Sequence, residues 1–548
     1  MAWVLRRSLP SLGLLIGLAL AVGVAFVEFV GAPGWFPPVF AIALIAIQYA
    51  VNPLLIQWLI PAQVIPHDGQ HYLTDHPIGE LVARRCHDAG IPLVKLGIVD
   101  DGTPNAFAFG RVRSDARVWI SRGIFERLDE RELDAVVSHE LGHVRNYDFA
   151  VMTVAAVIPM FLYLLYVTAR SSGNNQARAV ALTAYVAYLI SNFSLLALSR
   201  AREYGADRWS CECTGDGDAL ASALVKVAYG IGQIDAQRRE QIEMLKAQGK
   251  EGKREALKVG RRAQRAQALH AMGIFNPAEV DAMAVAVAGG IDPNRAIAAM
   301  RYETISPWPG VLEKLSSHPI VARRIAALER SGLPGAPQTW SVLRSTAAED
   351  PTGELSRVAR ARFVSQLSIA LVPWVLLACG LLAFVAESDA AAGFVLVGGL
   401  ALCLKQVVRY PFGFKRIDGI ASMLDRMDAG PVAGIPIEID GWIAGRGMPG
   451  YVLSPDLVVA DGTGFVPVLY NSSIPFARLI FGLGKAKTYV NEYVVVRGWY
   501  LRTPGPAIEL REIRSGNRHS VGLEWATRFV ASGVVVVAGV LMFLSTMG

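Results

Sequence analysis

The apolar residues of this 548-residue chain are gathered into seven runs, and these constrain its fold more than any other feature. They are Leu12–Val30, Val39–Ile60, Phe149–Val167, Ala179–Leu198, Leu367–Ala386, Ala391–Val408 and Phe529–Leu544. A helix needs about 20 apolar residues to cross a bilayer, so the sequence predicts seven spans, the last two being the weakest. Composition agrees. Hydrophobic residues make up 53% of the chain and charged ones 18%, against about 25% charged in a soluble domain. That excludes a disordered protein. The absence of a sustained heptad run excludes a long coiled coil. Five cysteines, two of them (Cys379 and Cys403) inside apolar runs, do not form a disulfide framework.

The first run resembles a signal peptide at Ala19-Leu20-Ala21. Its apolar stretch continues well beyond that point and a second span follows, so an uncleaved span is expected. Basic residues set the orientation. Gly31–Pro38 has no Lys or Arg, and the turn after the fifth span carries only Glu387 and Asp389. Arg6, Arg7, Arg409, Lys415 and Arg416 flank the opposite ends. The amino terminus and the large loops are therefore expected in the cytoplasm, with Arg170 and Arg178 running against the rule. The net charge of +6 suits a face lying on anionic lipid better than a nucleic-acid groove.

One short segment carries chemistry: Ser138-His139-Glu140-Leu141-Gly142-His143. Asp129 and Glu132 have capping-box spacing ahead of it, and Leu133, Val136, Val137, Leu141 and Val144 recur at helical intervals. Residues four apart share a helix face, so His139 and His143 can present nitrogen to one metal. Glu140 beside them can take a proton from water there, which is the logic of His-Glu-x-x-His zinc peptidases. A catalytic zinc takes three protein ligands and keeps one open position. After two spans comes Ala201-Arg202-Glu203-Tyr204-Gly205-Ala206-Asp207, where Glu203 is the natural third ligand. Asp207, one turn later, can receive a hydrogen bond from a ligand imidazole and fix its tautomer. The two spans form a hairpin, so both segments return to one side of the membrane. Glu203 follows the fourth apolar run by about five residues, roughly 7 Å of helix, which would put the zinc just above the bilayer.

These residues resemble the HtpX-type membrane zinc metalloproteases, relatives of the type I CAAX prenyl proteases. The resemblance covers roughly residues 1–330. It includes Pro104-Asn105-Ala106-Phe107-Ala108-Phe109-Gly110, similar to the family's Asn-Ala-Phe strand. It also includes Ser317-His318-Pro319 followed by Arg324. Ala106–Gly110 followed by Val118–Ile120 reads as a hairpin whose edge could pair with an extended substrate, making Asn105, Ala106, Phe107 and Ala108 the expected substrate strand. The resemblance implies that His318 and Arg324 lie near the site, where such groups stabilise the oxyanion.

The expected fold is thus a multi-pass α-helical membrane protein with a gluzincin-like α+β zinc protease domain and a C-terminal β-rich, OB-like domain. Two N-terminal spans occupy 1–60. The protease domain occupies 61–148 and 199–366, interrupted by a hairpin at 149–198. A second hairpin at 367–408 leads to the β-rich region 409–525 and a last span at 526–548. Short strand-like runs mark that region: Gly434–Ile439, Gly464–Tyr470, Tyr493–Leu501 and Ala507–Ile513. Pro436 and Pro467 in two of them suit edge strands. The basic stretch Arg238–Arg265 reads as a solvated helix face. The expected function is a zinc endopeptidase in the cell membrane with one Zn2+ per chain, Glu140 as general base, and polypeptide, chiefly membrane-protein, substrates. The family implies a role in quality control on the cytoplasmic side. A narrow processing peptidase and a zinc-stabilised scaffold are the alternatives. No nucleic-acid partner is expected.

Overall fold

The computed structural model describes residues 36–227 and 293–547, apart from 75, 103, 172–174, 425, 447–454 and 503–504. The first apolar run and the basic stretch 238–265 lie outside them. The described residues form two compact units. The first holds residues up to 227 together with Val311–Ser341, and the second holds 293–310 and 342–547. Residues 199–366, read from the sequence as one helical segment, contribute to both.

The first unit opens with helix α1 (Phe36–Leu59). A small sheet follows, of strands β1 (Gln63–Val64), β2 (Lys95–Val99), β3 (Ala106–Phe109) and β4 (Arg117–Ser121), in the order β1-β2-β4-β3. β3 and β4 pair antiparallel, as the hairpin reading expects, and β3 is the outer strand among the described residues. Helix α2 (Pro77–Ala89) and helix α3 (Glu130–Arg145) complete this part. α3 starts where the sequence says it should. The Asp129 side chain accepts from the Glu132 backbone, and the Glu132 side chain accepts from the Asp129 backbone, each at 3.0 Å. This reciprocal cap satisfies two otherwise orphaned donors.

Helices α4 (Asp148–Ser171) and α5 (Asn175–Thr214) form the hairpin. α5 runs for 40 residues without a break, so the apolar span and the Glu203 segment are one rigid rod. It crosses α3 closely at Gly142, where an added Cβ would meet the Ala206 Cα at 3.1 Å. A larger residue would push the two helices apart at the point where their functional side chains meet. Helix α6 (Val321–Glu329) packs against α5.

The second unit is built on three long apolar helices, α7 (Glu354–Val385), α8 (Ala390–Arg409) and a terminal one, and on a β-barrel between the last two. Strands β5 (Ile435–Arg446), β6 (Leu457–Ala460) and β7 (Phe465–Leu469) are followed by helix α9 (Ala477–Leu483). Strands β8 (Tyr493–Arg502), β9 (Pro506–Ser515) and β10 (Arg518–Val521) come next, then the terminal helix α10 (Glu524–Met547). Five strands close on themselves in the order β5-β6-β7-β9-β8-β5, with only β7 and β9 parallel in that ring. With a helix between the third and fourth strands, this is the topology of the OB-fold. Alternating apolar residues fill the interior, among them Ile437, Ile439, Val459, Val466, Val496 and Ile508. Closure leaves none of the five ring strands as an edge, yet the two prolines are accommodated. Pro436 pairs with Trp499 alone, and Pro467 with Val458 alone, because their second neighbours begin further along each strand.

Among the described residues, five helices are long and apolar enough to cross a membrane: α4, α5, α7, α8 and α10. α8 and α10 approach through small residues. A Cβ added at Gly399 would meet the Val536 nitrogen at 2.8 Å, and one at Gly539 the Leu396 Cα at 2.6 Å. Close backbone approach of this kind supplies van der Waals packing where lipid removes the hydrophobic drive.

Candidate metal centre

The site lies where α3 and α5 cross. His139 and His143 sit one turn apart on α3, and their Nε2 atoms are 3.3 Å from each other. Glu203 on α5 completes the triangle, with Oε2 3.6 Å from His139 Nε2 and Oε1 3.6 Å from His143 Nε2. Two ligands on one tetrahedral zinc, each about 2.1 Å from it, lie about 3.4 Å apart. The three observed separations fit that requirement. Glu203 Oε2 is also buried with no hydrogen-bond partner among the described residues. A buried carboxylate whose two oxygens each face an imidazole nitrogen, one of them without a hydrogen bond and with only the Arg324 Nη2 at 3.8 Å, is satisfied best when a cation joins the three side chains. The donor set therefore suits a metal of the zinc kind.

The outer nitrogens of both rings face carboxylates. Asp207 Oδ1 is 3.0 Å from His139 Nδ1, close in distance though outside hydrogen-bond direction. Asp148 Oδ2 is 2.6 Å from His143 Nδ1. A carboxylate on Nδ1 holds the proton there and leaves the Nε2 lone pair free for a metal. Each carboxylate is in turn held by an arginine. Arg324 donates to Asp207 through Nε at 2.8 Å and through Nη2 at 2.6 Å. Arg202 Nε lies 2.9 Å from Asp148 Oδ1. Both chains of contact, arginine to aspartate to histidine, are buried except at His143, whose side chain is partly exposed.

Asp148 and Arg202 were not picked out from the sequence. Asp148 reaches back because Tyr147 adopts φ 57°, a left-handed conformation rare for a non-glycine residue. That single residue turns the chain sharply between α3 and α4. The Arg113 guanidinium lies 4.1 Å from the centre of the Tyr147 ring and also donates to the Arg145 carbonyl, clamping the corner. The available signal was a lone acidic residue five positions after the second histidine, next to an apolar span that should not contain one.

Glu140 is buried beside the histidines. Burial pushes its carboxyl above the ordinary range, against the pull of His139, His143 and the nearby backbone of Ala108 on β3. Strand β3 packs against α3, the helix that carries this carboxylate. Asn105 itself is tied into the sheet, its N–H donating to Ser121 Oγ at 2.8 Å. Phe107 packs inward against Phe109 and Trp119.

His318 and Arg324 are both brought to the site, in different ways. The Arg200 guanidinium donates to the carbonyls of Glu313 and Ser316, which holds the following loop against α5. His318 Nδ1 then lies 3.2 Å from Glu203 Oε1. The Arg324 side chain is almost fully buried, with Nε and Nη2 donating to Asp207 and Nη2 also 3.8 Å from Glu203 Oε2, so it bears on the ligand set from behind.

A model of peptidase family M48 matches residues 73–331. "Protease HtpX homolog" of Methanothermobacter thermautotrophicus is 34% identical over 240 residues, which is 43% of this chain and 91% of that protein. "Protease HtpX homolog 2" of Methanosarcina acetivorans is 33% identical over 234 residues, covering 41% of this chain and 77% of that protein. A crystal structure of S. mikatae Ste24p aligns over 59% of this chain and 65% of its own, at 14% identity and a TM-score of 0.30.

Proposed function

The chain belongs to peptidase family M48, among the relatives of the HtpX proteases, and from that premise we propose that it is a zinc-dependent endopeptidase cutting membrane or membrane-associated polypeptides. The observation that carries this reading is the convergence of His139, His143 and Glu203, with Glu140 buried beside them. Those three residues would hold one zinc, which supplies a Lewis acid for the peptide carbonyl and lowers the pKa of water. Glu140 takes the proton from the attacking water and returns it to the leaving amine. Asp207 and Asp148 keep the two imidazoles in register, and Arg324 and Arg202 act through them as positioning residues. His318, beside Glu203, is the group best situated to stabilise the oxyanion.

The outer edge of β3, between Asn105 and Ala108, offers main-chain donors and acceptors to an extended segment of substrate, the N–H and carbonyl of Asn105 itself being taken up by Ser121. Pairing of that kind accepts many sequences, which suits removal of damaged or misfolded membrane proteins. The distribution of Lys and Arg supports a cytoplasmic site.

The test is made on the purified full chain, with zinc content and cleavage of an unfolded polypeptide measured together. Glu140→Gln should keep its zinc and lose about 10²–10⁴-fold in rate. Undiminished activity in that variant would sink the mechanism. Product mapping addresses specificity: scattered cuts support quality control, and one or two defined cuts would point to a processing peptidase instead.

A further inference from the structure

The segment between β7 and β8 has a surface that a water-facing barrel would not need. Across residues 471–489 there are three bases and no acid. Helix α9 within it has an inner anchor, Phe481, which is buried and stacked on Tyr470 with ring centres 3.9 Å apart. Its opposite side should be polar in a soluble domain. Instead Phe476, Leu479, Ile480 and Leu483 recur at helical spacing and stand exposed, Phe476 at 75% and Ile480 at 67%. Ile474 extends the same patch. A short helix that is apolar on both sides is made for an environment other than water.

Two further observations say what that environment is. First, Ser473 donates to both carboxylate oxygens of Glu524, at 3.0 and 2.9 Å. Glu524 is the first residue of α10, one of the helices able to cross a membrane. The patch therefore starts three residues, about 10 Å of chain at most, from the point where a span begins. Second, that point has the composition of a bilayer interface. Trp525 and the exposed Phe412 meet edge to face, and the Arg511 guanidinium lies 4.8 Å from the Trp525 ring. Aromatic rings and bases at a span's end mark headgroup level. Lys485 and Lys487 stand exposed after the patch, while Arg478 lies 3.6 Å from Asp456. Phe476 itself sits at φ 62°, a strained conformation for an aromatic residue, and one that leaves its ring outside.

We infer that residues 474–487 form an interfacial foot, with Ile474, Phe476, Leu479, Ile480 and Leu483 set into the acyl boundary of an anionic bilayer and Lys485 and Lys487 at its phosphates. Amphipathic elements of this composition sit roughly 5–10 Å into that boundary. The foot holds the barrel down on the membrane beside α10, so the domain is fixed to the lipid by more than its two covalent connections.

An environment-sensitive fluorescent amino acid replaces Ile480 in the full-length chain, reconstituted in phosphatidylethanolamine–phosphatidylglycerol vesicles. A second protein carries it at Gly462, in the exposed turn between β6 and β7 and at the far end of that hairpin from Tyr470, the residue that anchors Phe481. Nitroxide lipids should quench the label at 480, more strongly with the nitroxide near the headgroup end of the acyl chain than near its tip. The label at 462 should respond only to aqueous iodide. Iodide quenching at 480 equal to that at 462 overturns the inference. So does shielding from both quenchers that disappears when the protein is diluted in lipid, because a second copy then covers the patch. The same label at Leu483 repeats the measurement should the first protein fail to fold.

Discussion

The two units use membrane spans for opposite ends. In the first, the spans are part of the chemistry: α5 is at once the return helix of a hairpin and the carrier of Glu203 and Asp207. Its energetics rest on a few buried charges, each of which needs its partner. In the second, the spans α7, α8 and α10 pack through small residues, and the barrel they carry is a closed hydrogen-bonded ring around an aliphatic interior. Loss of one group should thus be felt differently in the two. A charge deleted from the first leaves another charge stranded, whereas a methyl group deleted from the second leaves a cavity.

The largest effect is expected at Arg324. Arg324→Met removes a bidentate partner and strands Asp207 in a buried position. Breaking one side of a buried pair costs about 3–5 kcal/mol. Hydrogen exchange should show it as lost protection in α5 and α6, accompanied by loss of zinc, with the barrel amides unchanged. Protection that stays at the parent level in α5 would mean that the arginine is idle. The matching change in the barrel is Ile508→Ala, at a fully buried position of β9. It should cost about 2–5 kcal/mol through the cavity it leaves, read as faster exchange across β8 and β9, with zinc content untouched. If both variants lost zinc, the division into two independent styles of stability would fail.

This contrast also explains what could be read from the sequence. His139, Glu140 and His143 are legible because helical spacing is a local code, and Glu203 and Asp207 because a hairpin of spans must return them to the same side. Within the described residues, the apolar runs coincide with long helices, since bilayer length is a crude and robust constraint. The barrel's strands were legible as alternating apolar residues, and an OB-like arrangement was suggested by their pattern. Closure itself depends on pairing between distant strands, such as β5 with β8, which no local pattern encodes. Arg324 was placed near the site, but its partners Asp207 and Glu203 were not named, because proximity to a motif does not say which atom a guanidinium will meet. Asp148 escaped altogether. Its role depends on the left-handed turn at Tyr147, and nothing about a tyrosine announces a positive φ.

Asp148 therefore provides the finest test, with the smallest expected effect. Asp148→Asn keeps the shape and a carbonyl oxygen for His143 Nδ1, but it removes the charge that faces Arg202. The helix corner should survive, because Tyr147 and Arg113 hold it independently of that charge. What weakens is the orientation and basicity of one ligand imidazole. Changes of this kind lower metal affinity about 10–100-fold. Competition with a chromophoric chelator should read that loss in the purified chain, and excess zinc should restore most of the cleavage rate. The control comes from the other unit, where Glu509 is as deeply buried and accepts from Arg409 and Tyr410 at 2.7 and 2.8 Å. Glu509→Gln disturbs a carboxylate–arginine pair of the same type at the root of a span. It should leave zinc affinity at the parent value, because its pair ends in packing while that of Asp148 ends at a ligand. Equal zinc affinity in the Asp148→Asn and Glu509→Gln proteins would show that Asp148, too, serves only the fold.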